Sequence, residues 1–370
     1  MRTTIYSIFS LFLFNIGFAQ SIPADSLKAN NDYPIKVKRL SPRVALLTGR
    51  LWHVNSLVIA SNKGMVMVAA PFSKNITQCY KEAAEKEFNR KDFIYLINTG
   101  MGIEDIGGNS AFKDKTIIGH VNSSKEITKG KEDTLNKLDY LCLPNRIAMC
   151  KDQVAHLEKY RDSISNKSEK LLYTAYINTW KDLQNEYFIN KEILTPNLTF
   201  TDEMSLDLGD ISIQLINYGY KSSSSGLFVY IPEESILFTG QIVNKSALPG
   251  ISFNKETPKN IVTNWISILN KFTNNKIELK YIISLNGGSD GIYNKEVLSE
   301  HYRYIKLLWE QMQQLKNEKK TLGEIKTTLK FETKFKEFGN LNNSVFPGTP
   351  WEILNIHENN IESIWLLLDK

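Results

Sequence analysis

The chain has 370 residues, 42% hydrophobic and 23% charged, with 45 Lys plus Arg against 40 Asp plus Glu, a formal charge of +5. That balance belongs to a globular protein with a sizeable core and excludes collagen-like, disordered and disulfide-stapled classes. The lysines are scattered, with only short knots such as Lys316, Lys319 and Lys320 around Glu318, a pattern of solvated faces that implies no nucleic-acid partner.

In chain order, Arg2 precedes an apolar run from Ile5 to Phe18 that ends at Gly17-Phe18-Ala19. A positive start, a run too short for a comfortable span and small residues at the cut make residues 1–19 a secretory signal peptide, cleaved after Ala19. A retained N-terminal anchor is the competing reading. The mature chain is then expected in the periplasm or outside the cell, with a formal charge of +4, since the leader carries one Arg and no acid. No Cys near the cut suggests a lipid anchor, and no later apolar run of about 18 residues predicts a membrane span. Cys79, Cys142 and Cys150 allow at most one intramolecular bridge; Cys142 and Cys150 are either joined or buried as free thiols.

Short strand-like runs follow at Val44–Thr48, Val54–Ala60 and Met65–Ala70. The last two flank Ser61-Asn62-Lys63-Gly64, where Asn and Gly can supply the positive φ of a hairpin turn. Ser73 caps a helix running to about Asn89. Phe93–Asn98 is a buried-type strand ahead of a Gly-rich loop, and Ile117–Gly119 is another strand.

Residues 125–191 are lysine-rich with helical periodicity, placing Leu157, Tyr160, Ile164, Leu171, Leu172, Ile177 and Trp180 inside, and read as a helical insertion between two α/β halves. The second half is expected to open with Leu198–Phe200 and Ser205–Leu208, turn at Gly209-Asp210, and continue through Ile211–Ile216, Leu227–Ile231, Ile236–Thr239, a helix over 258–272 and Tyr281–Ser284. Two halves of similar order predict an α/β fold, a four-layered αβ/βα sandwich over residues 36–370. Residues 292–370 form a helical C-terminal extension. Within it Val297, Tyr304, Leu307, Leu308, Met312 and Leu315 share a stripe, and Thr321 with Glu324 makes a capping box.

The loop words of this frame resemble the metallo-β-lactamase superfamily. In that family the first hairpin ends in an acidic residue before a small residue and Pro; here the run is Val68-Ala69-Ala70-Pro71, with Ala69 in the acidic place. The family's Thr-His-x-His-x-Asp-His and Gly-Gly-Asn match Thr99-Gly100-Met101-Gly102-Ile103-Glu104-Asp105 and Gly107-Gly108-Asn109 without a gap. The resemblance therefore puts Gly100 and Gly102 at two histidine ligands, Glu104 at the Asp and Asp105 at the third histidine. It puts Ser222 at the histidine of the next ligand loop, Gln241 at the bridging Asp of Leu237-Phe238-Thr239-Gly240-Gln241, and Asn286 at the last histidine, in Ser284-Leu285-Asn286-Gly287. The run from Trp351 to Glu362, with His357, resembles the closing helix of an exported or membrane-associated subgroup.

The resemblance implies a hydrolase with a dinuclear zinc centre, yet the implied ligand set contains no histidine. Glycine has no ligating side chain, so no zinc cofactor is expected. The five histidines, His53, His120, His156, His301 and His357, lie elsewhere in the sequence, with no two at ligand spacing. The expected function is that of an exported pseudoenzyme with a small molecule or a protein as partner. The alternative is a hydrolase with altered chemistry. Glu104, Asp105, Gln241 and Asn286 offer oxygen donors for Mg or Ca, and Lys221 beside Ser222 and Ser223 offers a nucleophile with its base. Each has a plainer reading: Glu104 and Asp105 as helix caps, Ser222 to Ser225 as loop. An assembly role beside an active homologue is a third class. Trp52, Tyr218 and Tyr220 flank the predicted cleft and are either stacking platforms or packed core.

Overall fold

The computed structural model describes residues 35–49, 51–133, 140–219, 225–245, 247–251, 257–274, 276–287, 291–341 and 353–369. The expected signal peptide and its cleavage site lie outside them. Among the described residues the strands form two sheets. The first runs β1 (Lys36–Arg39), β2 (Val44–Gly49), β3 (Val54–Ser61), β4 (Gly64–Val68), β5 (Phe93–Ile97), β6 (Thr116–His120) and β7 (Leu198–Phe200) in spatial order. The first four are antiparallel and the last three add in parallel. The second holds β8 (Glu203–Asp207), β9 (Ser212–Asn217), β10 (Leu227–Ile231), β11 (Ile236–Phe238), β12 (Tyr281–Ile283) and β13 (Ile292–Tyr293), again neighbour to neighbour.

The β3–β4 hairpin closes at Ser61 opposite Gly64. Only Gly64 takes a positive φ there, +143°; Asn62 does not, contrary to the sequence reading. A Cβ on Gly64 would stand 2.6 Å from Ile94 and 2.9 Å from the Asp92 carbonyl, so the turn and the neighbouring strand both require glycine. Helix α1 (Lys74–Phe88) starts at Ser73, whose hydroxyl accepts from the Ile76 amide at 3.2 Å, and stops at Asn89 in the left-handed region.

Strand β7 corrects the expected division of the chain. It pairs in parallel with β6, Ile118 opposite Leu198, and so completes the first sheet instead of opening the second. A parallel pair needs a long crossover, and the helical segment supplies it as α3 (Ser123–Glu132), α4 (Leu143–Ser163) and α5 (Lys167–Ile189), with the four-residue α2 (Ile103–Ile106) earlier in the chain. Leu157, Leu172, Ile177 and Trp180 are buried as expected, but Tyr160 and Leu171, close to the junction where α4 ends and α5 begins, are 37% and 53% exposed. Cys142 and Cys150 are buried free thiols. They are the N-cap and a third-turn residue of one helix, roughly 12 Å apart along its axis, too far for a disulfide, and burial pushes the Cys150 thiol up to about 12.

Alternation in the second sheet divides two cores. Leu227, Val229 and Ile231 of β10 and Ile236 and Phe238 of β11 point at the first sheet. Phe228, Leu237 and Ile282 point the other way, onto α6 (Ile261–Thr273), α7 (Lys295–Asn317), α8 (Leu322–Thr328) and α9 (Ile353–Leu368). The period of two in a strand makes both faces apolar at once. With α1 and α4–α5 outside the first sheet, this is the expected αβ/βα layering. The capping box of Thr321 and Glu324 is present in full.

Candidate functional site

The candidate site lies where the loops leaving β5, β11 and β12 meet. Thr99 is the joint: its carbonyl accepts from the Leu227 amide at 2.9 Å, tying the first loop to the second sheet. Asn98 and Asn109 exchange amide bonds, 2.8 Å each way, and Asn109 also donates to the Leu194 carbonyl at 2.8 Å. Ala69, fully buried, sits at φ +65°, a left-handed conformation that costs an L residue about 1 kcal/mol. It is held there by the Ala69 amide on the Ile97 carbonyl and by the Ser56 hydroxyl on the Ala69 carbonyl, 2.9 and 3.0 Å. Ala70, Phe72 and Gly108 then lace this loop to α2 through backbone bonds of 2.7–2.9 Å.

Gly107 and Gly108 are glycines by close approach. A Cβ on Gly107 would lie 2.3 Å from the Phe72 carbonyl oxygen, and one on Gly108 1.8 Å from Thr77 Oγ1. Gly100 and Gly102 have a different neighbour. A Cβ on Gly100 would meet Asp105 Oδ2 at 2.7 Å, and one on Gly102 would meet the Glu104 carboxylate at 2.5 Å. The carboxylates of the two acidic positions thus fill the space into which side chains at the two glycine positions would project.

Asp105 is fully buried, and its carboxylate accepts from the Thr99 amide at 3.0 Å and the Thr99 hydroxyl at 3.1 Å. Burial lifts its pKa to about 7, and the Glu104 charge adds to the rise against those two donors. Glu104 is half-buried and accepts a hydrogen bond from the Gln241 side-chain amide. Gln241 is brought there by β11: the Thr239 amide bonds the Ile283 carbonyl at 2.8 Å and Gly240 turns at φ +57°. Asn286 lies on the adjoining loop, half-buried, its amide bonding Ser284 Oγ at 3.3 Å. Leu285 of that loop bonds the Gly240 carbonyl, and Asn55 reaches it from β3. The structure therefore sets Gly100 against Asp105 and Gly102 against Glu104, which Gln241 reaches, with Asn286 on the neighbouring loop. Ser222, with Lys221, Ser223 and Tyr220, lies outside the described residues.

The histidines serve elsewhere. His53 takes a left-handed turn position before β3. His120 ends β6, accepting from the Asn122 amide at 3.2 Å, and burial lowers its pKa. His156 lies in α4, its pKa also lowered by burial. His301 is fully buried in α7, bonded to the Val297 carbonyl and the Asn244 amide and pushed down to about 4. His357 donates to the Leu329 carbonyl and accepts from Tyr304, at 2.7 and 3.0 Å. Trp52 and Tyr218 are core: Trp52 packs on Phe72 and Trp180 at 5.3 and 5.5 Å, Tyr218 on Phe228 at 4.9 Å.

A zinc centre does not fit the residues present. Two positions have no donor, Gln241 and Asn286 offer neutral amides in place of carboxylate and imidazole, and Asp105 is committed to Thr99. Among the described residues no three His, Cys, Asp or Glu side chains gather as a metal-holding group. Sequence reasoning missed Thr99 as the donor that holds Asp105. It also missed Glu186 of α5, whose buried carboxylate accepts from Ser73 Oγ and the Asn75 amide at 2.5 and 2.9 Å, capping α1 from another element. Thr99 opens the matched motif itself; Glu186 had no local signal.

This architecture defines a metallo-β-lactamase-like αβ/βα sandwich. No protein-family model matches the sequence, and no curated protein matches it. Solved structures do. The sec-alkyl sulfatase PisA1, in a double-mutant form, superimposes with a TM-score of 0.55 at 11% identity, over 90% of this chain and 50% of that one. The stereoselective inverting sec-alkylsulfatase from Pseudomonas sp. gives 0.54 at 11% identity, with the same 90% and 50%. A metallo-β-lactamase from Pontibacter korlensis gives 0.47 at 12% identity, over 74% of this chain and 99% of that one. The chain spans half the length of the alkylsulfatases it matches, and at such identities the fold alone is shared.

Proposed function

We propose that this chain is an exported, non-catalytic binding or accessory protein that has lost the dinuclear metal centre of its fold and uses no metal cofactor. One observation carries the reading: the Glu104 and Asp105 carboxylates occupy the space in front of Gly102 and Gly100. A hydrolytic zinc site needs three or four protein donors around an open position for water, whereas these carboxylates are turned onto Gln241 and Thr99. Export rests on the Arg2 to Ala19 pattern. Among the described residues no helix is long and apolar enough to cross a membrane. Metal analysis of the purified chain after dialysis is expected to find only substoichiometric metal; stoichiometric zinc or iron would overturn the reading. Native material is expected to begin at Gln20 on N-terminal sequencing.

The half-buried Glu104 beside Gln241 supports a second reading, a hydrolase using Mg or Ca held by oxygen donors. Screening ester, lactam and phosphoester substrates with and without these ions separates the two. Cation-dependent turnover lost in Glu104→Ala favours the second; no turnover on any substrate favours the first.

A further inference from the structure

Among the described residues, the α4–α5 hairpin carries an exposed surface of mixed charged and apolar side chains. At its tip a groove is lined by Arg161, Asp162, Lys167, Lys170, Leu171 and Thr174. Leu171 is 53% exposed in that groove, and Tyr160, its ring tilted against Tyr173 at 4.9 Å, is 37% exposed at the same tip. Residues 159–171 carry four cations, Lys159, Arg161, Lys167 and Lys170, against Asp162 and Glu169. Arg161 answers Asp162 at 3.0 Å. Lys159, Lys167 and Lys170 form no ion pair among the described residues. α4 ends and α5 begins here, with three residues between them.

We infer that this tip docks the protein on a membrane surface bearing anionic headgroups, Lys159, Lys167 and Lys170 meeting the phosphates while Leu171 and Tyr160 enter the headgroup boundary. The surface complements that occupant in both respects, an excess of positive charge and a small apolar edge within one tip. A lysine stem buries its methylenes while its ammonium stays at the phosphate level, and tyrosine prefers the same depth. Attachment of this kind is peripheral, and no described helix is built to span the bilayer. The other exposed apolar pair on α5, Phe188 and Ile189, is about 27 Å away along the helix, so a surface touching the tip leaves it free.

Co-sedimentation of the purified chain with phosphatidylcholine vesicles, with and without phosphatidylglycerol, tests the inference. Binding is expected only with phosphatidylglycerol, and it should weaken as salt rises. Lys167→Glu with Lys170→Glu should lower the partition coefficient about 25-fold or more, at least five-fold per charge, and Leu171→Ala by a few-fold. Lys113→Glu with Lys115→Glu, an equal charge change on exposed residues elsewhere, should leave binding unchanged, and circular dichroism should show all variants folded. Absence of binding to phosphatidylglycerol vesicles, equal binding to both vesicle types, or equal loss in the Lys113/Lys115 control would overturn the assignment.

Discussion

Two pairs of glycines stand within nine residues of one loop, and they are glycines for opposite reasons. Gly107 and Gly108 face a backbone carbonyl and the Cβ-branched Thr77, neither of which can retreat. Gly100 and Gly102 face the ends of acidic side chains. The first pair belongs to the scaffold that holds the loop against α1, and any protein built this way must keep it. The second pair belongs to the positions where the resemblance places ligands, and the Asp105 and Glu104 carboxylates stand in front of its glycines. Within one loop, glycines that meet backbone and glycines that meet flexible side-chain ends therefore place different demands on substitution.

Four substitutions would sharpen or break that contrast. The largest effect is expected at Gly107→Ala, whose methyl has nowhere to go beside Phe72 O; a loss of about 3 kcal/mol in urea unfolding, or failure to fold, follows from overpacking against backbone. A loss under about 1 kcal/mol would break the scaffold half of the comparison.

Next is Asp105→Asn. Because burial raises the Asp105 carboxyl from 3.8 to about 7, the folded chain keeps a proton that the unfolded chain has released. Its contribution leaves stability undiminished below about pH 4, lowers it as pH rises from about 4 to 7, and is level above that. The neutral amide can still accept from Thr99, so the variant should match the parent near pH 4 and exceed it at pH 8, measured by urea midpoints at both. An identical pH slope in parent and variant would refute the assignment.

Gly100→Ala should cost an intermediate amount, about 1–2 kcal/mol, since Asp105 is pinned by Thr99 and yields only partly. Gly102→Ala should be nearly silent, within about 0.5 kcal/mol. Its φ of −73° suits any residue and the Glu104 carboxylate can swing aside. If Gly102→Ala proves as damaging as Gly107→Ala, the two pairs are alike after all.

Much of the frame was legible in the sequence. The strand at Phe93, the Ser73 and Asn89 caps of α1, and the Thr321–Glu324 box are local features, and each appears within a residue or two of its expected place. Less legible were features joining distant segments. Leu198–Phe200 read as a strand, but its partner, β6, lay across the crossover. Tyr160 and Leu171 fit a buried helical stripe by period, yet both are exposed near the α4–α5 junction. Asn62 had the chemistry for a positive φ that the turn did not require of it.

By itself the sequence determined which residues stand at the loop positions: Gly100, Gly102, Glu104, Asp105, Gln241 and Asn286, with every histidine elsewhere. Residue type and spacing are local properties, and the absence of a donor on glycine needs no coordinates. Only the tertiary structure decided what the acidic side chains beside Gly100 and Gly102 touch. It turned Asp105 onto Thr99 and Glu104 onto Gln241, from a loop 137 residues away. It also buried His301 and His357 in the tail core. Burial and long-range hydrogen bonding depend on what the rest of the chain brings alongside, and that is set by packing alone.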